Sequence, residues 1–194
     1  MKSTKLMIAG TLALATATLF SGCAGVTHEP KVDMSSLKEV SEDDFFSALE
    51  KIGIDDSNIS TMEDTSFSFE DDDTEFEIEY SIDAYAENEN FYSYTRCADE
   101  ETAQALFQYY YNDYTYLFDS KNFSGIQSHE LGDTTGYLLI DGRYNDNAAG
   151  TYTPYHDAIF LKGDTVVFAM ASDYELSIEK EVNNFLDALG YPHP

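Results

Sequence analysis

Tryptophan is absent from this chain, and only 10 of its 194 residues are Lys or Arg. A phosphate backbone needs a cationic face to neutralise it, so so few bases set against 37 Asp and Glu exclude nucleic acid as a partner. The same shortage excludes a polybasic membrane-binding segment. Cys23 and Cys97 are the sole cysteines, too few for the disulfide framework that staples small secreted domains. Motifs that fix a chemistry are missing too. His28, His129, His156 and His193 lie far apart with no H-E-x-x-H, which argues against zinc, and no G-x-S-x-G occurs. Lacking tryptophan, the chain is also a weaker candidate for sugar stacking, although 15 tyrosines and 13 phenylalanines supply rings.

Lys2 and Lys5 precede an apolar stretch, Leu6 to Phe20, diluted by Gly10 and several Ala and Thr. It reads as a secretory signal, too short and too weakly apolar to rest as a transmembrane helix. It ends in Leu19-Phe20-Ser21-Gly22-Cys23, small residues followed by a cysteine, which resembles the lipobox of bacterial lipoproteins. That resemblance implies cleavage before Cys23 and a diacylglyceryl group on its sulfur, a step that needs a thiolate nucleophile. It also implies an extracytoplasmic address on a bacterial cell membrane, since two acyl chains anchor stably where one would exchange. With Cys23 acylated, Cys97 is left alone and is expected to be a small buried hydrophobe in a strand.

The mature chain would keep all 37 acids and lose Lys2 and Lys5, leaving 8 bases and a formal charge of −29. Acids in such excess repel an anionic bilayer, so the domain is expected to stand off from it. Residues 23–40 are expected to be a flexible tether of roughly 20–25 Å root-mean-square span, and residues 41–194 a single acidic domain rich enough in aromatics to fold.

Three helices are well punctuated. Ser41 caps the first, with Phe45, Ala48, Leu49 and Ile52 as its stripe and Gly53 as its stop. Asp99 caps the second, from Glu100 to about Phe118, and Gly190 ends the third, whose stripe is Ile178, Val182, Phe185, Leu186 and Leu189. A short edge strand is expected over Asn58 to Met62. In the next, Phe76, Ile78, Tyr80, Ile82 and Ala84 alternate with Glu75, Glu77, Glu79, Ser81 and Asp83, a strand with one dry and one anionic face. It should pair with Asn90 to Cys97. A two-residue loop would set Cys97 opposite Tyr80, whereas a three-residue loop would turn Tyr92 and Tyr94 inward, and the sequence leaves both open. Ser120 to Gly132 reads as a polar connection, Asp141 to Thr153 as a long exposed loop, and Thr134–Ile140, Tyr155–Leu161 and Thr165–Ala171 as strands, the last covered on both faces. The fold class is therefore α+β, a single domain with a largely antiparallel sheet of about five strands and three helices packed on it. This layout is similar to that of small uncharacterised lipoproteins of Gram-positive anaerobes.

Candidate sites are few. Asp71, Asp72, Asp73 and Glu75 supply hard oxygens, making calcium the one cofactor left open, although an EF-hand loop begun at Asp71 would put Phe76 where the turn requires glycine. Asp141, Asn145, Asp146 and Asn147 are a second such cluster with no better spacing. Tyr109, Tyr111, Tyr116 and Tyr155, with His156 and Asp157, are the candidate binding surface. The expectation is a membrane-anchored envelope lipoprotein binding a protein or glycan partner without turnover, the alternative being a hydrolase built on a carboxylate pair.

Overall fold

The computed structural model describes residues 27–28, 32–68, 75–118, 120–146, 148–172 and 176–194. Strands are β1 (Thr27–His28), β2 (Ile59–Ser68), β3 (Glu75–Tyr85), β4 (Phe91–Cys97), β5 (Phe123–Leu131), β6 (Thr135–Asp146), β7 (Thr151–Lys162) and β8 (Thr165–Met170). Helices are α1 (Glu42–Ile52), α2 (Glu100–Tyr114) and α3 (Leu176–Leu189). They form one sheet in the order β1-β5-β6-β7-β8-β4-β3-β2. Its seven long strands are all antiparallel, and two-residue β1 adds to β5 in parallel.

The expectation of about five strands is thus corrected to seven, with β1 as a short addition. One miss is β5, read as a polar connection because Gln127, Ser128, His129 and Glu130 interrupt any apolar alternation. The other is the length of β6 and β7, which pair residue by residue from Thr135↔Lys162 out to Asp146↔Thr151. The stretch read as a long exposed loop is therefore mostly a two-stranded ribbon. Pro154 is tolerated in it because β8 ends at Met170, opposite Asp157, and the last bond on that side runs from the Ala171 amide to the His156 carbonyl, leaving the outer side of residues 151–155 without a ladder partner among the described residues.

Both faces of the sheet are covered. Phe45, Leu49, Ile82, Tyr92, Tyr94, Phe160, Val167, Phe185 and Leu186 pack into one core beneath α1 and α3. Phe76, Ile78, Leu106, Phe107, Leu138, Ile159, Leu161 and Val166 make the other, beneath α2. Alternate residues of β8 enter opposite cores, as its two-sided apolar run predicts. Ser41 caps α1 in a reciprocal capping box with Asp44, and Gly53 closes the helix in the left-handed region at φ 83°. Asp99 caps α2 through the Thr102 amide at 2.7 Å.

The β3–β4 connection adopts the three-residue solution. Tyr85 pairs with Phe91 and Ala84 with Tyr92, and Tyr92 and Tyr94 are buried. The register shifts between Ile78 and Tyr80, so Cys97 lies opposite Ile78. One inserted residue reverses the sides of all that follow. Phe76 and Ile78 face the α2 core while Ile82 and Ala84 face the α1/α3 core. Ser81, expected on the anionic face, is buried, whereas Glu75, Glu77 and Glu79 remain exposed. Arg96, opposite Tyr80, is held by Glu42 and by Glu79, the latter at 3.1 Å. Beside the shift, edge strand β2 is kinked at Asp64, a non-glycine residue with φ 45°.

The stretch read as a tether is structured in part. Leu37 and Val40 are buried in the α1/α3 core with Val32 and Met34 against them, and the Tyr191 hydroxyl donates to the Lys38 carbonyl at 2.8 Å.

Gly125 and Gly142 face each other across β5 and β6. A Cβ on Gly142 would lie 2.5 Å from the Ser124 carbonyl oxygen and 2.7 Å from Phe123 Cζ. Gly142→Ala should therefore destabilise the fold by about 1–3 kcal/mol through overpacking. Urea unfolding is expected to show a lower midpoint at unchanged slope.

Candidate functional site

β7 passes between the two cores, so its polar dipeptide His156-Asp157 is buried and its side chains point to opposite faces. On the α3 face His156 is clamped at both ring nitrogens: Nδ1 lies 3.1 Å from Asp141 Oδ1 on β6 and Nε2 3.0 Å from Asn183 Oδ1 on α3. Burial disfavours the imidazolium, but the bonds to Asp141 and Asn183 outweigh it and hold His156 above the usual histidine value.

On the α2 face the Tyr114 hydroxyl donates to Asp157 Oδ2 at 2.8 Å. Oδ1 has no hydrogen-bond partner among the described residues. Burial pushes the Asp157 carboxyl up to about 7, and the Tyr114 hydroxyl and neighbouring His156 only partly oppose it. Outward from this acid runs a band of rings. Tyr155 lies edge-on to Tyr114 at 6.1 Å and to Phe123 at 6.3 Å, its hydroxyl meets that of Tyr116, and Tyr116 packs edge-on to Tyr144 at 5.4 Å. Tyr116 is 53% exposed, so the band reaches from a buried carboxyl to solvent.

The expected site residues are therefore divided. Tyr116, Tyr155 and Asp157 come together, joined by Tyr114, Tyr144 and Phe123. His156 is on the other face of the sheet. Tyr109 leans on Phe76 and Tyr111 packs against Phe118 and His129, so these two diverge to opposite sides of α2. Asp71, Asp72, Asp73, Asn147 and Cys23 lie outside the described residues. Glu75 accepts from the Ser66 hydroxyl at 2.5 Å. Among the described residues no three His, Cys, Asp or Glu side chains gather to hold a metal. Cys97 is buried with its thiol pushed up to about 12 by burial and by Asp164 and Asp99, which makes it unreactive. A depression of about 530 Å³ at the start of α1 is lined by Glu39, Glu42, Asp43, Asp44 and Asp164, with Arg96, already paired, as its cation. Asn183 and Tyr144 were not singled out in the sequence. A two-residue alternation across 142–146 would have flagged Tyr144, but its Gly, Asn and Asp read as loop.

Chemically, Asp157 is a neutral acid between about pH 4 and 7, where an exposed aspartate is already ionised. It is sealed under Tyr114, and among the described residues no second carboxylate is hydrogen-bonded to it. Both His156 nitrogens are taken up by Asp141 and Asn183, and among the described residues no hydroxyl or thiol is hydrogen-bonded to either. Searches of family models, curated proteins and solved structures return no match to this chain.

Because folded Asp157 keeps its proton to about pH 7 while an unfolded aspartate releases it near 4, wild-type stability should fall as pH rises across that interval and level off above it. Asp157→Asn should remove that component of the fall. The variant is expected to be more stable than wild type at pH 8, by no more than about 4 kcal/mol, with the gap closing towards pH 4. Thermal melts at matched ionic strength read it.

Proposed function

We propose that this protein is a membrane-anchored lipoprotein of the bacterial envelope, attached through Cys23, whose domain binds an extracellular protein or glycan rather than transforming one. The observation that carries the binding reading is the tyrosine band, Tyr155, Tyr144 and Tyr116, which presents stackable rings and hydroxyls on rigid strands and a helix end. A ring held by neighbouring rings loses little side-chain freedom on contact, which favours binding. The buried groups argue in the same direction: Asp157, His156 and Cys97 are each enclosed, so none meets a substrate without the cores opening. The anchoring reading is supported by Lys2, Lys5, the Leu6–Phe20 stretch and the small residues before Cys23. No helix among the described residues is long and apolar enough to cross a membrane.

In cells fed an alkyne fatty acid, the protein should take up label and sediment with membranes, and Cys23→Ala should lose both. Unlabelled wild-type protein would sink the anchor. For binding, titration of soluble envelope glycan fragments and envelope proteins should reveal a ligand whose affinity Tyr116→Ala lowers about tenfold with unchanged circular dichroism. Turnover of any of these compounds, abolished by Asp157→Asn, would favour the hydrolase instead.

A further inference from the structure

Among the described residues Asp157 has the only buried carboxyl, and its surroundings treat its two protonation states unequally. Beside it on the α2 face stand Ile140 of β6, Met170 of β8 and Tyr155 of its own strand, none of them charged. From α2, Tyr114 donates to Oδ2, Tyr110 lies stacked on Phe168, and Asp113 is exposed. Across the sheet the His156 imidazole is taken up by Asp141 and Asn183. A neutral carboxyl is accommodated there with one hydrogen bond. A carboxylate is not, because Oδ1 has no donor and a charge in an apolar core must be hydrated.

Two routes from solvent to this oxygen differ in chemistry. Past β8, water meets Met170 and Phe168, which offer it no strong hydrogen bond. Past the end of α2 it meets the hydroxyls of Tyr116, Tyr155 and Tyr114 in succession, and Tyr116 is 53% exposed. Hydroxyls exchange one another for water at little cost. Burial holds the Tyr114 and Tyr155 hydroxyls well above the ordinary tyrosine value, so they keep their protons while Asp157 loses its own.

We propose that Asp157 is a proton-controlled latch on the tyrosine band: protonated, it lets Tyr114 and Tyr155 close over it, and on losing its proton it draws water between them and loosens the band. With the carboxyl pushed up to about 7 by burial, the band is closed below that pH and loosens as pH rises through it. The latch goes beyond the binding reading of the band and is read without a ligand, so either can fail alone. A ligand stacked on Tyr116 and Tyr155 would be held more tightly in mildly acidic medium, because a ring fixed in advance costs less to order.

The test exposes the full-length chain to brief pulses of hydroxyl radical at about pH 5.5 and about pH 8.5, on either side of the Asp157 transition. Oxidation of Tyr114 and Tyr155 is read residue by residue by tandem mass spectrometry, relative to exposed Tyr85 and Tyr152. In wild-type protein their relative oxidation should rise about twofold or more at the higher pH, with unchanged circular dichroism. Asp157→Asn should hold both tyrosines at the low-pH level throughout. Tyr114→Phe, which removes the donor that favours the charged form, should move the rise at Tyr155 to higher pH. Unchanged relative oxidation in wild-type protein overturns the latch. So does a rise that persists in Asp157→Asn, which would put the titrating group elsewhere. A rise at Met170 without one at the two tyrosines overturns it by bringing water in along β8, and a loss of circular dichroism at the higher pH overturns it as unfolding of the whole domain.

Discussion

The structure depends on two adjacent strands, β7 and β8, that are dry on both faces. A strand with one wet face can be served by a single helical layer, but Ile159 and Leu161 face one way while Ala158 and Phe160 face the other, so each side must be roofed. The chain order answers this requirement. α2, between β4 and β5, crosses one face on its way to the far side of the sheet, and α1 and α3, which flank the strands in sequence, meet on the other with Phe45 edge-on to Phe185 at 5.2 Å. Buried polar side chains on β7 follow from the same demand. His156 and Asp157 sit where the roofs begin, and each is held by the helix above it, through Asn183 and Tyr114.

Their neighbourhoods differ in a way that affects the whole domain. The His156 imidazolium is met by acceptors at both nitrogens, whereas ionised Asp157 would have one hydroxyl and no cation at hydrogen-bonding distance. Loss of either proton costs the folded state, at His156 because a donor to its acceptors is lost and at Asp157 because a charge is left in the core, so both contributions fall as pH rises. For a molecule this acidic, general charge repulsion at high pH adds to that tendency.

Much of the fold was legible in sequence because caps and stripes are local. Ser41 with Asp44, Asp99 with Thr102, Gly53 and Gly190 mark helix ends through interactions within a few residues, and the apolar run of β8 declares its own two-sided burial. The rest depended on partners far along the chain. β5 is polar by composition, and only backbone pairing with β6 makes it a strand. The shift between Ile78 and Tyr80 leaves the alternation of β3 intact on paper while exchanging its faces, so nothing local betrays that Ser81 goes in. At the candidate site, adjacency flagged His156 and Asp157, but Asn183 and Tyr114 meet them across 27 and 43 residues.

The kink at Asp64 bears on how molecules of this protein behave beside one another. β2 is the outermost long strand on its side of the sheet, and a straight ten-residue border would be a template onto which a second copy could add, and then a third. The left-handed turn at Asp64 interrupts that template midway, and Glu63 and Asp64 put like charges at the point where two such borders would meet. The β2 border is therefore a poor starting point for a ribbon of copies, however concentrated the protein becomes.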